Sequence, residues 1–208
     1  MTPAEGIEVG NTYSISITCQ YKSYNLLDFK LQQNGNTVVH ILYSPMKKGY
    51  KRLKTSDGFD CDLPVDIIGN VTCWKYNPTC KDVAAYSCKT FYKTSKRKVF
   101  KAKSTLESLE ILKGLNKQGR EVKNLRCVAN IGAPFKSQET FMWITTKNGK
   151  NFYFIKKEQI PLTSGCYSLV SSDYTFTSPA KNVSATNITC KTNFASLRVQ
   201  INDEMENR

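Results

Sequence analysis

Apolar and polar residues alternate with a period of two in several short stretches of this chain. In Tyr13-Ser14-Ile15-Ser16-Ile17-Thr18-Cys19-Gln20-Tyr21 the apolar positions fall on every second residue. That is the pattern of a half-buried strand, with Cys19 pointing inward. Further strands are predicted over 6–9, 26–32, 37–43, 70–76, 86–91 and 96–103, and Asn34-Gly35 supplies the positive φ angles of a two-residue hairpin between the third and fourth. A second series follows over 125–128, around Trp143, and over 174–177, 187–190 and 197–201, with a hairpin at Lys147-Asn148-Gly149-Lys150. The two series repeat one plan: a strand bearing a cysteine, an Asn-Gly hairpin, and a second strand bearing a cysteine. The prediction is an all-β chain of two tandem sandwiches, domain 1 over 1–104 and domain 2 over 105–202, with a polar tail over 203–208. No Gly, Ser or Pro run separates Lys103 from Leu106, so almost no linker is expected.

Around Cys88 the sequence reads Asp82-Val83-Ala84-Ala85-Tyr86-Ser87-Cys88. A Tyr two residues before a Cys at the entry to a strand has the form of a tyrosine corner, in which the phenol hydroxyl bonds back to upstream backbone. On these residues the chain resembles the immunoglobulin superfamily. The resemblance implies tandem immunoglobulin-like sandwiches and an inter-sheet bridge between Cys19 and Cys88, 69 residues apart. In the second domain it implies a Cys127–Cys190 bridge, 63 residues apart, with Trp143 as the core tryptophan. The chain departs from the family pattern twice. Phe29 or Leu31 stands where the first domain would carry its tryptophan, and Ile188 occupies the corner position of the second.

The chain has eight cysteines, no Cys-x-x-Cys and a single histidine, His40. A zinc site is therefore not expected, and oxidised cysteines of a secreted or extracellular protein are the better reading. Three N-glycosylation signals, at Asn70, Asn182 and Asn187, agree with that compartment. Beyond the core pairs, Cys61, Cys73 and Cys80 remain in the first domain and Cys166 in the second. Odd counts mean either that one bridge joins the domains or that each keeps a thiol for another molecule, as in a disulfide-linked oligomer. A local Cys73–Cys80 bridge is narrowly favoured over Cys61–Cys80. Residues 1–5 lack the apolar core of a signal peptide, and no run approaches the roughly 18 apolar residues of a spanning helix. The chain reads as a mature chain or a fragment.

A net charge of +13 favours anionic neighbours. Two basic clusters stand out. Lys47, Lys48, Lys51, Arg52 and Lys54 follow the fourth strand, and Lys93, Lys96, Arg97, Lys98, Lys101 and Lys103 lie on the last strand of the first domain. Tyr43, Tyr50, Phe91 and Tyr92 fall in the same segments, and aromatic residues among cations suit a recognition surface. Both clusters are expected to border one face of one sheet. The competing reading is that these lysines protect sheet edges against strand addition. The expected partner is an extracellular protein or an anionic glycan; nucleic acid is disfavoured by the compartment. One histidine in a strand-like run builds no nucleophile–base pair, and there is no phosphate-binding glycine pattern, so neither an enzyme nor a cofactor is expected. The paired divergent domains also resemble the N-terminal part of molluscan fibrinogen-related immune lectins, which implies recognition of pathogen surfaces or partner immune proteins. A virus-encoded secreted decoy for a host cytokine or receptor, and an adhesion ectodomain acting by self-association, are the alternatives.

Overall fold

The period-two stretches become strands, joined by turns whose residues suit their backbone. A computed structural model describes residues 1–22, 26–65, 68–115, 121–147, 149–176 and 186–201; the 203–208 tail and the sequon at Asn182 lie outside these. The chain divides into two units, Met1–Lys103 and Ser104–Arg208, each with its own buried core.

In the first unit β1 (Ser14–Lys22), β6 (Ile68–Tyr76) and β5 (Phe59–Cys61) form a three-stranded sheet in the order β1-β6-β5. Against it lies a five-stranded sheet, β4-β3-β2-β7-β8, built from β2 (Asp28–Gln33), β3 (Asn36–Ser44), β4 (Gly49–Thr55), β7 (Ala85–Thr90) and β8 (Lys98–Val99). Asn34 and Gly35 take φ angles of 49° and 88°, which turns β2 tightly into β3. The predicted first strand over 6–9 is instead a crossing segment. Thr2 bridges Ser16 of one sheet, whereas Ile7 runs parallel to Ala102 at the end of the other. Gly6 permits that close approach: its φ is +116°, and a Cβ there would sit 2.9 Å from the Lys101 carbonyl oxygen.

In the second unit the sheets are β13-β10-β9 and β12-β11-β14-β15. The first joins β9 (Thr105–Leu115), β10 (Glu121–Gly132) and β13 (Tyr167–Phe176); the second joins β11 (Gln138–Lys147), β12 (Lys150–Gln159), β14 (Thr186–Lys191) and β15 (Ser196–Ile201). Trp143 is buried on β11, donates from Nε1 to Ser172 Oγ at 3.2 Å and stacks on Tyr174.

The Cys19–Cys88 bridge joins β1 to β7, and the Cys127–Cys190 bridge joins β10 to β14, with Cα separations of 6.1 and 6.4 Å. Register decides between the two candidates for the first domain's missing tryptophan. Leu31 lies opposite Cys88 as Trp143 lies opposite Cys190, so Leu31 holds the tryptophan's place, and Phe29 is buried beside it. The favoured Cys73–Cys80 bridge is corrected: Cys73 is bonded to Cys61 on the neighbouring strand β5, which it faces directly in register, Cα to Cα 3.9 Å. Strand β6 stays extended through Tyr76, at about 3.3 Å per residue. It carries the chain away from Cys73 before Cys80 opens the 3-10 turn Cys80–Asp82. All eight cysteines are disulfide-bonded, so neither unit keeps a free thiol.

Candidate functional site

The turn ahead of β7 fixes the strand on which the candidate site is built. Tyr86, 2 % exposed, donates its hydroxyl to the Asp82 carbonyl at 3.3 Å and accepts from Gln33 Nε2 at 2.9 Å. The Asp82 carboxylate is fully buried. It accepts from the Thr79 backbone N–H at 2.7 Å and faces Lys75 Nζ at 2.8 Å. This is a tyrosine corner locked to a capped turn, and it sets the direction in which β7 runs to its far end.

At that far end β7 turns into β8 through a hairpin tip braced by two hydroxyl side chains. The Thr90 N–H donates to the Lys93 carbonyl at 2.7 Å, and the Thr90 hydroxyl accepts from the Lys93 N–H. Ser95 exchanges bonds with Cys88: its N–H donates to the Cys88 carbonyl, and its hydroxyl accepts from the Cys88 N–H. Between these braces Phe91 and Tyr92 stand out of the fold, 70 % and 73 % exposed, with their rings in an edge contact at 5.0 Å. Lys93 is exposed beside them, and Lys96, Arg97 and Lys98 are exposed along the edge segment that returns from the tip, Lys98 opposite Tyr86.

Register places the other basic turn at the same end. Asp28 is opposite Leu42 and Phe29 is opposite Thr90, so the start of β2 and the ends of β3 and β7 lie together. The β3–β4 turn, with Lys47 and Lys48, therefore crowns the same end of the five-stranded sheet as the Phe91-Tyr92 tip. At about 4.8 Å per strand the two turns stand roughly 14 Å apart across the sheet. Lys51, Arg52 and Lys54 on β4 and Lys98 on β8 lie along the two opposite edges of this sheet, and Lys47, Lys48 and Lys93 stand at its loop end. Met46, 98 % exposed, and Leu27, 44 % exposed, add apolar surface between them. Among the described residues none of Lys47, Lys48, Lys93, Lys96, Arg97 and Lys98 makes an ion pair.

The remaining candidates do other things. Arg52 pairs with Asp60 at 3.0 Å and donates from Nη2 to the Cys61 carbonyl at 2.6 Å, so it ties β4 to β5. Tyr50 is part-buried, packs edge-on against Tyr43 at 5.2 Å, and its phenol titrates above its ordinary range because burial disfavours the anion. Lys51 and Lys54 are exposed on the edge strand β4, at the opposite edge of the sheet from β8. His40 lies against Asp28 on the outer side of β3, and Lys30 pairs with the same carboxylate. Sequence reasoning missed Leu27 and Met46, single exposed apolar residues with no periodic signal, and the bracing role of Thr90 and Ser95, whose spacing around Phe91-Tyr92 was the available sign. Among the described residues no group of three or more His, Cys, Asp or Glu is placed to hold a metal ion, and no helix is long and apolar enough to cross a membrane.

No family model matches the sequence, and no curated protein matches it. Among solved structures, a crystal structure of bovine butyrophilin is similar over 91 % of this chain and 90 % of that one, with a TM-score of 0.55 and 10 % sequence identity. The chain has the fold of tandem immunoglobulin-like domains. At that identity the likeness speaks for the fold alone, and it does not extend to the molluscan lectins. Within the first immunoglobulin-like domain the loop end is the one where the β3–β4 and β7–β8 connections meet. Two sequons fall on outward-facing strand positions. Asn70 is exposed on β6 opposite Gln20, and Asn187 is on β14 of the second immunoglobulin-like domain opposite Gln200.

Proposed function

We propose that this chain is an extracellular recognition module that binds an anionic ligand, a protein or a glycan, at the loop end of its first immunoglobulin-like domain. The observation that carries the reading is the Phe91-Tyr92 pair, 70 % and 73 % exposed on a braced hairpin, with Lys93 beside it and Lys47 and Lys48 across the same end, none of which forms an ion pair among the described residues. Two large exposed aromatic rings bring apolar contact at low entropy cost. Unpaired cations bring long-range attraction and keep like-charged surfaces away. Loops at this end of a variable-type sandwich are where that scaffold carries recognition residues. The oxidised cysteines and the sequons support an extracellular setting. Immune recognition of a pathogen surface, or of a partner immune protein, is the role to which this ligand chemistry is best suited.

The test is retention of the glycosylated chain on a sulfated-glycan column. Reversing Lys96, Arg97 and Lys98 to Glu should bring elution to markedly lower salt, and Lys47 with Lys48 to Glu should do so in part. A charge-matched reversal of Lys136, Lys191 and Arg198 in the second domain should matter less than the first set. Phe91→Ala with Tyr92→Ala should weaken retention without changing the slope against salt. Equal shifts for both triple reversals would mean that the column reads net charge, and the site would be withdrawn.

A further inference from the structure

We propose that two copies of this chain pair edge to edge through β12 of the second domain, which extends the four-stranded sheet β12-β11-β14-β15 across a two-fold axis at Phe154. The proposal is independent of the anionic-ligand reading, which concerns the first domain. Strand β12 is the outermost strand of its sheet, and its middle is a run of four apolar residues: Phe152, Tyr153, Phe154 and Ile155 are 60 %, 62 %, 50 % and 57 % exposed. Soluble proteins protect such edges with bulges, prolines or charges. Strand β12 pairs with β11 without a register shift, contains no proline, and carries its charges only outside the apolar run.

The backbone phase fits a second strand. Ile160 donates its N–H to the Ser137 carbonyl at 3.1 Å and continues the β11–β12 register, in which Gln138 faces Gln159. Even-numbered residues of β12 therefore bond inward to β11, and the N–H and C=O groups of Asn151, Tyr153, Ile155 and Lys157 point outward at the open edge. An antiparallel partner must match odd residue to odd residue, so a symmetric pair is centred on a single residue and only a few registers exist.

Side-chain chemistry selects among them. Centred on Phe154, the pairing sets Tyr153 opposite Ile155, Phe152 opposite Lys156, Asn151 opposite Lys157, and Lys150 opposite Glu158. Every apolar residue then meets an apolar side chain or a lysine stem over a ring, and no like charges meet. Centring on Tyr153 would oppose Lys150 to Lys156. Centring on Ile155 would oppose Tyr153 to Lys157 and Phe152 to Glu158. The strand is thus self-complementary in charge and in apolar surface in one register, and this argues for a second copy as its occupant. Asn187 lies two strands in from the edge on the sheet face, so a glycan there leaves the edge open.

The experiment is sedimentation of the glycosylated chain over a roughly hundredfold dilution series, at moderate salt. The weight-average mass should rise from one chain toward two. Ile155→Pro removes an outward N–H without touching the β11 ladder, and Tyr153→Lys places a charge in the apolar centre; each should hold the chain monomeric. Lys150→Glu and Glu158→Lys should each weaken the dimer, and the double variant should restore it. A thermal midpoint for each variant equal to that of wild type at the dilute, monomeric end of the series shows that the domain is intact. A chain that stays monomeric throughout the series overturns the proposal. So does a dimer that tolerates Ile155→Pro and Tyr153→Lys, or a double charge variant that fails to recover.

Discussion

Tyr86 joins three segments through one oxygen: its own strand, the Cys80–Asp82 turn, and Gln33 at the end of β2. Replacing it with Phe should lower stability at neutral pH by about 0.5–1.5 kcal/mol, the net worth of a buried hydrogen bond. One Gln33 amide N–H keeps the Lys81 carbonyl, and because Gln33 is only half-buried the N–H released by Tyr86 can turn to water. The same residue predicts a pH dependence. Burial, with the Asp82 charge second, pushes the folded phenol's titration above its ordinary range. The unfolded phenol ionises near about pH 10. The stability this provides is fully present below that pH and is lost as pH rises beyond it, since only the unfolded chain then releases the proton. The gap between wild type and Tyr86→Phe in denaturant midpoints should therefore narrow above about pH 10; a constant gap would mean that the phenol is not held neutral. Asp82 is the harsher case. Asp82→Ala would leave Lys75 Nζ, on a side chain only 12 % exposed, without its carboxylate and would strip the cap from the Thr79 N–H. The expected loss is about 3–5 kcal/mol by denaturation, as for other broken buried pairs.

At the scale of strands, legibility followed burial on one face. Strands β1 and β11, with apolar residues inside and polar residues outside, show their period in sequence, as does the Asn34-Gly35 turn that needs positive φ. Strand β4 left no such trace because Gly49–Thr55 is an edge strand on which Lys51 through Thr55 are all exposed, so no alternation is imposed on it. Strand β9 shows no period of two for a related reason: in Thr105–Leu115 leucine recurs at every third position, Leu106, Leu109, Leu112 and Leu115. The loop end was legible only in its parts. Phe91, Tyr92 and the flanking cations could be read from sequence, but their meeting with Lys47 and Lys48 depends on strand order. The Cys61–Cys73 bridge failed for want of a strand: Phe59–Cys61 is three residues long, too short to show a period, yet it sets Cys61 opposite Cys73. Changing both cysteines to Ser should cost about 3 kcal/mol on the chain-entropy model, less than the roughly 4 kcal/mol of either core bridge, which closes a far longer loop. Non-reducing peptide mapping should recover residues 61 and 73 in one linked fragment; a fragment joining 73 to 80 would reverse the assignment.

At the scale of the molecule, charge and glycosylation act on the same surface. The chain carries +13, and an N-glycan that ends in sialic acid adds negative charge wherever it can reach. Asn70 sits two residues inside the start of β6, opposite Gln20 near the end of β1, and that end of the sandwich is the one crowned by the Phe91-Tyr92 tip. The two sheets of a sandwich are about 10 Å apart, and exposed charges interact over about 8–10 Å at physiological ionic strength. A sialylated glycan on Asn70 therefore lies within reach of the loop-end cations, whereas one on Asn187 belongs to the other domain. Asn70→Gln, expressed in cells that sialylate, should elute from a sulfated-glycan column at higher salt than wild type. Asn187→Gln should elute close to wild type. Enzymatic removal of sialic acid alone should reproduce most of the Asn70→Gln shift, because the effect is one of charge. If the two sequon variants shift equally, the glycans act only through net charge and Asn70 does not govern access to the loop end. If Asn70→Gln binds more weakly, the glycan contributes to the binding surface and the cations are not its main determinant.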